Sequence, residues 1–83
     1  MKQTIKVTET DIKQGKCQDA LRCPVALAAL RAGFIDPGVT RLDLSYGDGA
    51  AWRCLSLPGE ARRFVRAFDL GETVQPFEFE VTV

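Results

Sequence analysis

Histidine is absent from the 83-residue chain. That one absence removes the commonest general acid–base, the commonest zinc ligand and the usual haem ligand together. Net charge is absent too: 11 basic side chains balance 11 acidic ones, so the electrostatic footprint of a dedicated nucleic-acid binder is missing. No apolar run approaches the roughly 20 residues that span a bilayer; the longest, 24–32, is interrupted at Arg31. The opening MKQTIKVTET alternates apolar and polar residues and has no signal-peptide core. A cytoplasmic protein with no membrane association is the expectation. No phosphate-binding glycine loop precedes a helix and no nucleophile stands beside a base. Neither an enzyme nor a cofactor or metal site is expected.

The cysteines are Cys17, Cys23 and Cys54. An odd number cannot complete a disulfide framework, and the six-residue step from Cys17 to Cys23 is no usual zinc spacing. They read first as small buried hydrophobes. Cys23 also directly precedes Pro24, which places its thiol at a helix N-terminus, where a thiolate is stabilised. That leaves a thiol-dependent activity as a separate reading.

What is present divides the chain, 1–83, into the regular elements of a single domain. Gln3 to Val7 alternate as a half-buried strand. Thr8 opens TETD, a capping box with Asp11 in the place of glutamate, for one helical turn ending at Gly15. Pro24 and Gly33 bracket a helix whose Val25, Ala28 and Ala32 form one row, with Leu27 and Leu30 beside it. Asp36-Pro37-Gly38 reads as a turn. Val39 to Tyr46 and Ala51 to Leu57 read as two strands around Gly47-Asp48-Gly49. A two-residue Asp48-Gly49 loop sets Leu42 against Leu55 and Leu44 against Arg53, with Trp52 and Cys54 on the other side. A three-residue loop turns Trp52 inward and opposes Asp43 to Arg53. The two-residue form is preferred because it puts Leu55 and Leu57 in the core. Pro58 and Gly71 bracket a last helix with Ala61, Phe64, Val65 and Phe68 inward. The 74–83 strand then alternates strictly, Phe77, Phe79, Val81 and Val83 against Glu78, Glu80 and Thr82.

This order predicts an α+β protein of βαββαβ type, the ferredoxin-like split βαβ plan. In that plan two main helices cover one face of a four-stranded antiparallel sheet. The open face would carry Thr4, Lys6, Arg41, Asp43, Ser45, Trp52, Ser56, Glu78 and Glu80. Its lone tryptophan is the natural anchor of a protein interface, with Arg41 near it, because Trp and Arg dominate binding hot spots. Base stacking on this face is disfavoured: the first strand has no aromatic, AAWRCLSL lacks the RNP pattern, and Glu78 and Glu80 repel phosphate. A second feature is Arg62, Arg63 and Arg66 on the last helix. They suit either a solvated helix face or a grip on phosphate or an acidic partner surface.

Three segments, IKVTETDIKQG at 5–15, CPVALAALRAGF at 23–34 and LPGEARRFVRAFDLGETVQPFEFEV at 57–81, resemble a group of short phage and prophage proteins of unassigned function. Members share a leading VT..DI..G, a Cys-Pro before an aliphatic helix, and a terminal FD.G..V.PF.F. They often carry a further cysteine close before the Cys-Pro; here the nearest is Cys17. The resemblance implies a bacterial or mobile-element setting and no active residues. The expected function is a non-enzymatic protein-binding module, a phage-derived accessory factor or an inhibitor of a host complex. An anti-CRISPR-like role is one form of this by analogy. The alternative is a nucleic-acid-binding accessory protein using the Arg62, Arg63 and Arg66 face. An edge strand near the C-terminus makes either a monomer or a homodimer compatible with the sequence.

Overall fold

The computed structural model describes residues 2–83. Strand β1 (Lys2–Val7) pairs antiparallel with β5 (Phe77–Thr82) without a register slip, Lys2 opposite Thr82 and Val7 opposite Phe77. The period-two pattern of both segments sends Ile5, Val7, Phe79 and Val81 into the core and leaves Lys6, Glu78 and Glu80 in water. Helix α1 (Glu9–Gln14) starts where Thr8 and Asp11 exchange the two bonds of a capping box. Helix α2 (Pro24–Arg31) buries Val25, Ala26, Ala28 and Ala29, and its small residues let it lie against β1 and β2 (Ile35–Val39) together. Strands β3 (Asp43–Gly47) and β4 (Trp52–Ser56) complete a second sheet in the order β2-β3-β4. Helix α3 (Gly59–Asp69) inserts Ala61, Phe64 and Val65. The Phe64 ring lies 4.7 Å from Phe77, which stacks 5.5 Å from Phe79. After both α2 and α3 a glycine turns left-handed, Gly33 at φ 105° and Gly71 at φ 78°, as the last carbonyls require.

The α+β class expected from the pattern is present, but the single four-stranded sheet is not. Among the described residues five strands, in place of the four expected, form a two-stranded and a three-stranded sheet, while the short and the two longer helices are all present. α2 bridges the two sheets, and its Arg31 donates to the Lys6 carbonyl of β1 at 2.7 Å. Alternation identifies a strand and its faces without naming its neighbour.

The expected 39–46 strand is broken because Thr40 Oγ1 accepts from the Leu42 and Asp43 amides at 3.2 and 3.0 Å, a local turn that competes with the ladder. Val39 therefore belongs to β2. The Asp36-Pro37-Gly38 turn becomes an irregularity within that strand, with Asp36 at φ 48°, a position where a proline deprives no ladder of a donor.

The hairpin register also differs. Leu44 opposes Leu55 and Gly47 opposes Trp52, which leaves Asp48 to Ala51 as a four-residue loop. Asp48 closes it by accepting from the Ala50 and Ala51 amides at 3.1 and 2.9 Å. Four residues in place of two shifts the pairing by an even step, so the inward and outward faces remain those of the two-residue reading. Leu44 and Leu57 are buried, Leu55 is half-buried, and Trp52 and Cys54 face outward.

Candidate docking surface

The exposed face of the three-stranded sheet owes its shape to three cross-strand partners. Ile35, Gly47 and Trp52 stand in one row across β2, β3 and β4. Because Gly47 has no side chain, the row dips in the middle. A Cβ there would sit 3.9 Å from Ile35 Cγ2 and 4.0 Å from the Trp52 ring. The next positions along the strands are Gly38, Ser45 and Cys54, all small, so the dip continues as a shallow floor. The opposite face carries Leu44 and Tyr46, the latter edge-on to Phe34 at 4.8 Å. That side is sealed.

Two leucines from outside the sheet rim the same surface. Leu21, just before α2, has its Cδ2 3.8 Å from the Cβ position of Gly38. Leu30 stands one turn beyond Ala26 on α2. Leu21, Ala26, Leu30, Asp36, Pro37 and Trp52 together line a groove of about 350 Å³. Trp52 is 69% exposed, Leu21 68%, Leu30 57% and Ile35 56%. Single exposed apolar residues are ordinary, whereas four large ones on one surface form a patch of the kind that docking sites use. The only charge on the groove lining is the Asp36 carboxylate.

The other candidates from the sequence lie apart from Trp52. Arg41, in the turn after Thr40, is exposed and lines a separate hollow of about 190 Å³ with Asp19 and Asp69. Arg62 is tethered, its Nε donating to the Leu57 carbonyl at 2.9 Å. Arg63 and Arg66 are exposed on α3 and share a hollow with Leu70 and Glu72, so a carboxylate sits within the basic face. The arginines and the tryptophan thus fall on three surfaces.

Leu21 and Ile35 are not singled out in the sequence, and Leu30 and Pro37 read only as part of a helix face and of a turn. Leu21 is a lone leucine in a polar stretch, and Leu30 sits on the flank of its helix. Both are weak signals until the sheet face is placed beside them.

Chemistry is sparse. Cys23 caps α2, its Sγ accepting from the Ala26 amide at 3.4 Å. Burial pushes its thiol up despite the bonds from the Ala26 and Val25 amides. That is the reverse of what a reactive thiolate needs, and with Cys23 3% exposed it speaks against the thiol-dependent reading. Cys17, whose Sγ donates to the Phe68 carbonyl at 3.1 Å, and Cys54 are exposed, and all three cysteines are free. Among the described residues no three Cys, Asp or Glu side chains gather where they could hold a metal. No described helix is long and apolar enough to cross a membrane. Comparison with known families, with curated proteins and with solved structures finds no match in any of the three.

Proposed function

We propose that this chain is a small protein-binding module and that its partner seats on the Trp52 groove. The observation that carries the reading is the gathering of Trp52, Leu21 and Leu30 around one groove, with Ile35 facing Trp52 across Gly47, each more than half exposed. Trp52 flanks that groove, and tryptophan is among the residues most enriched in binding hot spots. Asp36 at its edge favours a partner surface that is apolar with a basic rim. In the phage or prophage setting that the three segments imply, the partner is a component of a host complex and the chain its accessory factor or inhibitor.

The test is affinity capture from bacterial lysate with the wild-type chain, Trp52→Ala and Arg63→Ala/Arg66→Ala side by side. A partner retained by the arginine variant and lost by Trp52→Ala, with a Kd weakened about 30-fold or more for the loss of about 2 kcal/mol typical of a hot-spot tryptophan, supports the reading. A partner captured equally by Trp52→Ala, or none above background, overturns it. Salt-sensitive oligonucleotide binding lost only in the arginine variant would move the function to α3.

A further inference from the structure

The four strand edges that do not face a partner inside a sheet differ in how they are closed. On β2 the Val39 amide donates to the Ala20 carbonyl at 2.8 Å. Against β1 lies α2, whose Arg31 holds the Lys6 carbonyl. The outer edge of β5 alternates Glu78 and Glu80, so antiparallel pairing with a second β5 sets glutamate against or beside glutamate, a repulsive arrangement. On β4 none of these devices operates.

The orientation of its backbone follows from the bonds at the two ends of the hairpin. The Leu57 amide donates to the Leu42 carbonyl at 2.8 Å and the Asp48 amide to the Ala51 carbonyl at 3.1 Å. Hydrogen-bonded pairs alternate along an antiparallel ladder. Arg53 and Leu55 therefore turn their N–H and C=O groups toward β3, while Trp52, Cys54 and Ser56 turn theirs outward. All three residues are exposed.

We propose that this edge pairs antiparallel with the same edge of a second copy of the chain, about a two-fold axis at Cys54, joining two three-stranded sheets into one continuous sheet. Centring on Cys54 is the arrangement that uses all three outward residues: Cys54 meets the second Cys54, and each Trp52 meets a Ser56. Three such pairs exchange about six backbone hydrogen bonds.

The side chains are self-complementary in this register. The bulky indole lies over small Ser56 and beside small Cys54. Arg53, the one charged residue of the strand, opposes Leu55 rather than its own copy, and it is already neutralised by Asp48 within its own chain. Like charge does not oppose the seam, in contrast to β5. The two Trp52 side chains end up on one face, about four residues or 14 Å apart, and the dimer presents two docking grooves side by side. The pairing does not rest on those grooves having a partner; it follows from the edge alone.

Sedimentation of the full chain under reducing conditions, at submillimolar concentration, tests it. The wild type is expected to shift from monomer toward dimer as concentration rises. Cys54→Pro removes only an outward N–H, which the hairpin does not use, and is expected to remain monomeric over the same range with an unchanged circular dichroism spectrum. A wild type that stays monomeric throughout overturns the proposal, as does a dimer that Cys54→Pro leaves intact.

If Cys54→Pro fails to fold, the Cys17→Ser variant, in which Cys54 is the one exposed thiol, is treated with a short bismaleimide. Opposed residues in such a pair have Cα atoms about 5.5 Å apart, so a covalent dimer is expected in the folded protein and not in the same protein unfolded in urea. Equal linking in both, or linking in neither, overturns the pairing.

Discussion

Replacing Asp11 by asparagine tests how β1, α1 and α2 are held together. Asp11 is 3% exposed, yet it carries a carboxylate. Its two oxygens accept from the Thr8 amide at 2.8 Å, the Thr8 hydroxyl at 3.1 Å, and both terminal nitrogens of Arg31 at 2.7 Å each. Arg31 in turn reaches back to the Lys6 carbonyl. One side chain thus ties the start of α1 to the end of α2 and, through Arg31, to β1.

Asparagine keeps the shape, loses the charge, and turns an NH2 toward donors that need an acceptor. The Arg31 side chain is 51% exposed, so solvent screening holds the ion pair to about 1 kcal/mol. The mismatched donor inside the capping box adds about 1 kcal/mol. The expected loss is about 2 kcal/mol, a large share of the roughly 5–15 kcal/mol that holds a domain folded, and urea unfolding followed by circular dichroism measures it.

The pH dependence has a definite sign. Burial opposes ionisation of Asp11, but the Arg31 guanidinium and the Thr8 donors outweigh it and hold the carboxyl below its ordinary value of 3.8. A lowered folded pKa contributes stability that is fully present above the unfolded value and lost as pH falls through the folded one. The gap between wild type and Asp11→Asn should therefore be complete at neutral pH and start to close as pH drops through 3.8. A gap under about 0.5 kcal/mol at neutral pH, less than one typical hydrogen bond, refutes the reasoning, as does a gap that stays constant into acid.

Gly15→Ala should destabilise for lack of space alone: the backbone there is ordinary, φ −69° and ψ 153°, but a Cβ would lie 2.6 Å from Pro24 Cδ and 2.8 Å from the Asp11 carbonyl. Relieving that contact moves α1 against α2 at a cost of about 1–3 kcal/mol, read as a lower urea midpoint; an unchanged midpoint would show the α1–α2 junction to be loose. Phe64→Ala removes the ring that meets Phe77 at 4.7 Å and Phe68 at 6.3 Å, with an expected loss of about 3–4 kcal/mol in thermal unfolding, and a loss below about 1 kcal/mol would mean that α3 does not depend on β5 for its place. Thiol labelling by a maleimide should modify Cys17 and Cys54 at once and Cys23, 3% exposed, only after urea is added; rapid triple labelling would contradict the burial of the α2 N-terminus.

Helices were legible where punctuation and period agreed. Thr8 with Asp11, Pro24 with Gly33, and Pro58 with Gly71 each fixed a helix to within a residue or two, because caps act locally. The faces of β1 and β5 were legible for the same reason, since alternation is a property of the strand itself. Neighbours were not. The pattern of 39–57 is compatible with one long strand and a tight hairpin until two side chains are weighed: Thr40, which draws the chain into a turn, and Asp48, which closes a loop of four residues. Both act through side-chain-to-backbone bonds that leave no trace in hydrophobic period. The groove was legible only through Trp52. Leu21 and Ile35 come from segments with no periodicity; Ile35 approaches Trp52 across the space over Gly47, and Leu21 lies over Gly38.

Trp52 is exposed for a reason that follows from parity. The hairpin must bury Leu44 and Leu57 on one side of the sheet, and every second residue of β4 then faces away from the core. Only an odd change in loop length could turn Trp52 inward, and it would drive Leu55 into solvent together with it. The indole is thus held outside by the same register that fills the core. A polar residue at position 52 would serve that register equally well. Burying an aromatic of this size is worth roughly 2–3 kcal/mol, a gain that the indole, 69% exposed beside three more large apolar side chains, leaves open to the partner proposed for the groove. The small residues Gly47, Gly38, Ser45 and Cys54 leave the sheet face beside that ring low and open.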